Sequence, residues 1–222
     1  MVKRRSALVA WVIAPLVTLG GCATSSGVVA GPSPATETVT KSSGEVGDRP
    51  SRDAQVVEVD GYGISFELPK AWMTLDAKEV LDSSNPVFEE VAARMGMTSQ
   101  QFVESIGASV LTFSITDRGA VRGFVDNVNS VGMSRSEFSD DRIKLQLATI
   151  GAKPARFEHA TSAAGDVIRV PYRWRITGTT VHGVLILVDV GDAATQITVS
   201  SHAAGTADKL ADRIQRSLRT TR

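Results

Sequence analysis

The chain has 222 residues, 42% of them hydrophobic and 5% aromatic, and its 24 lysine and arginine side chains are matched by 24 aspartates and glutamates. This formal charge of zero removes any whole-chain electrostatic case for nucleic-acid binding, and the apolar fraction is high enough for a packed core. The single cysteine excludes a disulfide framework.

Lys3, Arg4 and Arg5 are followed by an uncharged stretch over 6–21 with no acid before it. A positive start and a short apolar run are the two leading parts of a secretory signal. Sixteen uncharged residues fall short of the roughly 20 that a spanning helix needs. Pro15, Gly20 and Gly21 weaken the end of the run further. The stretch closes on Leu19-Gly20-Gly21-Cys22, which resembles the lipobox of bacterial lipoproteins: an aliphatic residue, two small residues and cysteine. The resemblance implies cleavage between Gly21 and Cys22, a diacylglyceryl thioether on Cys22, and acylation of the new amino group by palmitate-type chains. The Arg4-Arg5 pair leaves twin-arginine export open beside the general secretory route.

Cleavage there removes three bases and no acid, leaving 21 basic against 24 acidic side chains and a formal charge of about −3. It also commits the sole thiol to lipid. The exported domain then has no cysteine for disulfides, nucleophilic catalysis or metal ligation. Buried acyl carbon is worth ~0.8 kcal/mol per methylene, so two or three chains hold the protein at the membrane.

Residues 22–53 are dominated by Ser, Thr, Gly, Pro and Ala, without an aromatic side chain or a sustained apolar period. Such a segment buries too little surface to offset the entropy of ordering and reads as a flexible tether. About 30 residues of flexible coil span roughly 30 Å, enough to lift a small domain off the headgroups.

Residues 54–222 read as one domain. Strands are expected over 56–59 and 64–68, joined at the Asp60-Gly61 turn, with Pro69 ending the second and Trp72 covering a core edge. A short helical piece is expected over 76–81. Asn85 before Pro86 predicts the start of a helix to Met95, and Thr98 with Gln101 predicts a capping box for a helix to Ile106. A strand over 110–115 and another over 123–131 follow. The region 136–150 is a helix candidate whose apolar face comprises Phe138, Ile143, Leu145, Leu147 and Ile150. Strands over 155–162, 166–176, 180–190 and 194–201 are separated by connections too short for parallel crossovers, so they are antiparallel. An amphipathic helix over 206–218 closes the chain, with Ala207, Leu210, Ala211, Ile214 and Leu218 on one face. The run 184–190 is apolar on both sides and predicts a central strand covered twice. The fold class is therefore α+β: an α/β/α sandwich around a central, mainly antiparallel sheet.

The segment Gly61-Tyr62-Gly63-Ile64-Ser65-Phe66-Glu67-Leu68-Pro69-Lys70-Ala71-Trp72 resembles the opening of the PsbP/Mog-like fold. It is similar in particular to LpqN/LpqT-type lipoproteins of high-GC Gram-positive, actinobacterial envelopes. The resemblance spans roughly 56–220 and implies a binding or accessory module. It transfers no catalytic residue.

The residues themselves offer little catalysis. His159, His182 and His202 lack the spacing of a zinc motif and read as ordinary strand histidines. No nucleophile elbow, P-loop or dinucleotide fingerprint occurs. Glu89-Glu90 and Asp140-Asp141 are helix neighbours about 100° apart, hence solvated faces rather than acid dyads. Alternation places Arg169, Arg173 and Arg175 on one strand face, where they could grip an anionic headgroup, a cell-wall phosphate or an acidic partner surface. The competing reading is cross-strand pairing, for which Glu158 is available. The expectation is a lipoprotein on the extracytoplasmic face of the membrane, with no cofactor and no nucleic acid. Membrane lipid holds it, and an envelope protein or cell-wall ligand is its partner. An envelope hydrolase with an unrecognised site and a carrier of hydrophobic ligands are the alternatives.

Overall fold

A computed structural model describes residues 51–221, apart from positions 77, 80–84, 107, 108, 122, 123 and 177. The expected signal segment, Gly21, Cys22 and all but the last residues of the expected tether lie outside the described residues. So does half of the short helical piece expected over 76–81; of the rest, 78 and 79 are helical and Asp76 ends a strand.

The strands are β1 (Ala54–Val59), β2 (Ile64–Pro69), β3 (Met73–Asp76), β4 (Val110–Ile115), β5 (Asn127–Ser134) and β6 (Lys153–Pro154). They continue with β7 (Glu158–Ser162), β8 (Gly165–Ile176), β9 (Thr179–Asp189), β10 (Ala193–Ser201) and β11 (Arg219–Thr220). The helices are α1 (Pro86–Arg94), α2 (Ser99–Ile106), α3 (Asp140–Thr149) and α4 (Ala204–Ser217). The large sheet runs β3-β4-β5-β10-β9-β8-β6, with β7 also on β8, and its pairings are antiparallel. A small sheet, β1-β2-β11, is antiparallel as well.

The class is α+β, and each face of the large sheet is covered. On one face α4 and the small sheet together enclose a core that includes Phe66, Leu68, Val184, Ile186, Ile197 and Ile214. On the other face α3 sets Ile143 and Leu147 against Ile168, Val170, Leu185 and Leu187. Nearer the β3 edge, α1 and α2 cover Leu75, Phe113 and Ile115. The central strand expected over 184–190 is β9, apolar on both sides because both layers use it.

Local chemistry explains most element starts. The Asn85 side chain accepts from the Val87 amide at 2.9 Å, with Pro86 in the first helical turn of α1. Thr98 and Gln101 exchange reciprocal bonds of 3.0 and 3.2 Å ahead of α2, the expected capping box. Elsewhere tertiary structure moves the boundaries. The strand expected over 123–131 is β5, displaced towards Ser134, because Phe124 and Val125 are buried ahead of it. Its Gly132 receives the Tyr62 ring: a Cβ there would lie 1.8 Å from the phenol oxygen. The Gly61-Tyr62-Gly63 turn is thus the clasp between small and large sheets. The helix expected over 136–150 begins only at Asp140, after a 3₁₀ turn at Arg135–Glu137, and Leu145 faces solvent at 58% exposure. Ile143 and Leu147, one turn apart, carry its buried side instead. Of the strand expected over 155–162 only Glu158–Ser162 forms, as β7, and β6 lies ahead of that range.

Candidate functional site

The site is built on the outer half of β8, where residues alternate between two layers. Ile168, Val170 and Tyr172 point to α3 and are buried, while Val167, Arg169, Pro171, Arg173 and Arg175 face the α4 side. Tyr172 lies across Gly183, its cross-strand partner, whose missing side chain admits the ring: a Cβ there would lie 2.0 Å from the ring carbon bearing the hydroxyl. Burial pushes the Tyr172 phenol above its ordinary range, and a hydrogen bond with Ser200 opposes the shift.

The three arginines separate into two roles. Arg169 turns under α4, its side chain only 14% exposed, and its guanidinium bonds Asp212 at short range and lies 3.5 Å from Asp208. Glu158, directly opposite on β7, approaches its Nε at 4.0 Å and also accepts from Arg156 at 2.7 Å. The expected Glu158 pairing is present, and two acids from α4 join it. Arg169 therefore ties β7, β8 and α4 together. Arg173 and Arg175 lie farther along the strand and are exposed.

The register adds two bases to them. Lys153 on β6 stands opposite Arg173, and Arg173 stands opposite His182 on β9, so the three occupy one row across three strands. The row continues to Ser201 on β10, and from there the chain turns into α4. Lys153, Arg173 and His182 line a cleft of about 370 Å³ with Pro154, Tyr172, Ala204, Ala207 and Asp208. It adjoins a wider, more open cleft of about 580 Å³ lined by Arg156, Glu158, Arg169 and Asp208. The first turn of α4 contains no acid, and Ala203 at its cap offers no side-chain acceptor. The helix end therefore adds positive potential to this wall, against the Asp208 carboxylate farther along α4.

Sequence reasoning singles out Arg173 and Arg175 but not Lys153, which sits beside Pro154 on a strand of two residues. His182 is cross-strand from Arg173 and Ser201. His202 is instead held at the end of β10 by Asp126, whose carboxylate accepts from its amide at 3.1 Å and lies 2.9 Å from Nδ1. His159 lies 3.4 Å from Asp140 at the start of α3. Among the described residues no cluster of three or more His, Cys, Asp or Glu is arranged to hold a metal ion. No helix among them is long and apolar enough to cross a membrane.

No protein-family model matches the chain, and no curated protein matches it in sequence. Its fold is similar to the solution structure of cyanobacterial PsbP (CyanoP) from Synechocystis sp. PCC 6803. That match is 12% identical with a TM-score of 0.49, over 80% of this chain and 98% of that one. It is also similar to the crystal structure of LpqN, involved in cell envelope biogenesis of Mycobacterium tuberculosis. There the identity is 12% and the TM-score 0.44, over 76% of this chain and 91% of that one.

Proposed function

We propose that this chain is an exported lipoprotein, cut between Gly21 and Cys22 and acylated on Cys22. Residues 22–53 tether its domain to the extracytoplasmic face of the membrane, and the domain works there as a non-catalytic binding or accessory module. The observation that carries the anchoring is the position of the only cysteine, directly after Leu19-Gly20-Gly21 and a basic, then apolar, leader. The observation that carries the binding role is the exposed basic face of β8, with Arg173 and Arg175 beside open clefts. Exposed like charges across neighbouring strands cost stability, which is the expected cost of a contact surface for an anionic envelope component.

Anchoring is tested by metabolic labelling with palmitate and intact mass. The mature wild-type chain should begin at Cys22, carry label and show the mass of a diacylglyceryl thioether, and Cys22→Ser should incorporate none. A wild-type chain recovered with a free thiol, or one labelled equally after Cys22→Ser, contradicts the assignment.

A further inference from the structure

We infer that the row Lys153–Arg173–His182, closed at one end by the first turn of α4, binds a phosphate group. The inference rests on the reading of the β8 outer face as a contact surface, and it names the chemistry of the ligand.

Three features converge. First, direct cross-strand neighbours lie about 5 Å apart at Cβ, so the three basic side chains occupy roughly 10 Å of one sheet face. Like charges directly opposite one another destabilise a sheet, and neither Lys153 nor Arg173 has an ion pair among the described residues. Second, Asp208, the acid in the cleft, is engaged with Arg169 behind the row. Arg169 is shared with Asp212 and Glu158, so Asp208 offsets part of the row's positive potential, and the excess rests on Lys153 and Arg173. Third, Ala204 and Ala207 of the first turn of α4 line the cleft, and that turn has neither a side-chain cap nor an acid, so the field of a helix N-terminus adds to the fixed charges.

A phosphate group suits this set better than a carboxylate. A guanidinium, an ammonium and an imidazole line the sheet side of the cleft, and the first turn of α4 lines another side. A tetrahedral phosphate directs its two or three unesterified oxygens out of a common plane and meets donors from several directions, whereas a planar carboxylate does not. The cleft of about 370 Å³ is larger than a phosphate alone requires, and Pro154, Pro171, Ala155 and Ala207 give it a small apolar wall for the carbons of an ester. The ligand class is thus a phosphate ester, from a lipid headgroup or from a soluble or polymeric polyol phosphate.

The test uses the full chain in neutral detergent micelles, titrated calorimetrically with inorganic phosphate and with glycerol 3-phosphate at low ionic strength. Wild type should bind both, and Lys153→Gln combined with Arg173→Gln should weaken binding at least tenfold. Arg142→Gln, on α3 across the sheet, should leave it unchanged. Arg173→Lys should retain most of the affinity, which separates loss of charge from loss of fold. Displacement by phosphatidylglycerol vesicles identifies a lipid source, and displacement by glycerol 3-phosphate alone a soluble one. Equal affinity in the double variant, or tighter binding of acetate than of phosphate, overturns the inference. So does the absence of phosphate binding in a chain that still pellets with envelope material, an outcome that leaves the contact-surface reading standing.

Discussion

Gly165→Ala is expected to lower the stability of the folded domain by about 3–5 kcal/mol, the sum of a strained backbone and a steric overlap that cannot relax. Gly165 opens β8 at φ +136, a conformation L side chains rarely adopt, and a Cβ there would lie 2.0 Å from the Asp189 carbonyl oxygen. The obstacle is backbone, so no rotamer change relieves it. The β7–β8 turn must then move away from the end of β9, and with it Glu158, which helps hold Arg169. Urea unfolding followed by circular dichroism measures the loss. Gly178→Ala is the control, because Gly178 has φ +86 but a Cβ there would meet nothing within 4 Å. It should cost only the conformational part, about 1–2 kcal/mol. Equal losses at the two positions would show that the contact with Asp189 relaxes freely.

Phe102→Ala should cost about 3–5 kcal/mol, as expected for removing a large aromatic side chain from a filled core. Phe102 is fully buried between Phe88 of α1 and Phe113 of β4, with ring centroids 5.2 and 5.1 Å away in edge-to-face geometry. It joins the two short helices to the sheet through aromatic contacts on both sides. Its removal should therefore expose the segment between α1 and α2 to protease before global unfolding, whereas α3 and α4 keep their own cores. Phe102→Leu, which refills most of the volume, should recover the larger part of the loss. Urea midpoints together with limited proteolysis distinguish the two variants, and uniform destabilisation without local cleavage would contradict the aromatic bridge.

The legible parts of the fold are those encoded within a few residues. Asn85-Pro86 and Thr98 with Gln101 form their caps by bonds spanning two or three positions, so the sequence carries the whole interaction. The alternation along β8 and the doubly apolar β9 are equally direct, because side-chain period reports the number of covered faces. What escapes depends on long-range packing. Leu75 is the only buried residue of the four in β3, too little pattern to mark a strand. Gly132 belongs to β5 because it admits Tyr62, some 70 residues earlier.

The candidate site shows the same division. Three arginines on one face of β8 follow from spacing alone, but their different roles do not. Arg169 is drawn inward by Asp208 and Asp212, about 40 residues away on α4, leaving Arg173 and Arg175 outside. Lys153 joins the basic row through the β6–β8 register, a pairing of two residues only. Asp126 and His202 meet across 76 positions with no local signal.

The central claim is that the basic face of β8, and not the lipid anchor alone, engages the envelope. It is tested most directly by co-sedimentation of the full chain, in detergent micelles, with cell-envelope fragments from which lipid has been extracted, so that acyl chains cannot account for retention. Wild type should pellet at low salt and be released as salt screens the contact. Arg173→Gln combined with Arg175→Gln should remain largely in the supernatant at the same ionic strength. A double variant that pellets as fully as wild type, or a wild-type chain that never leaves the supernatant, would contradict the account.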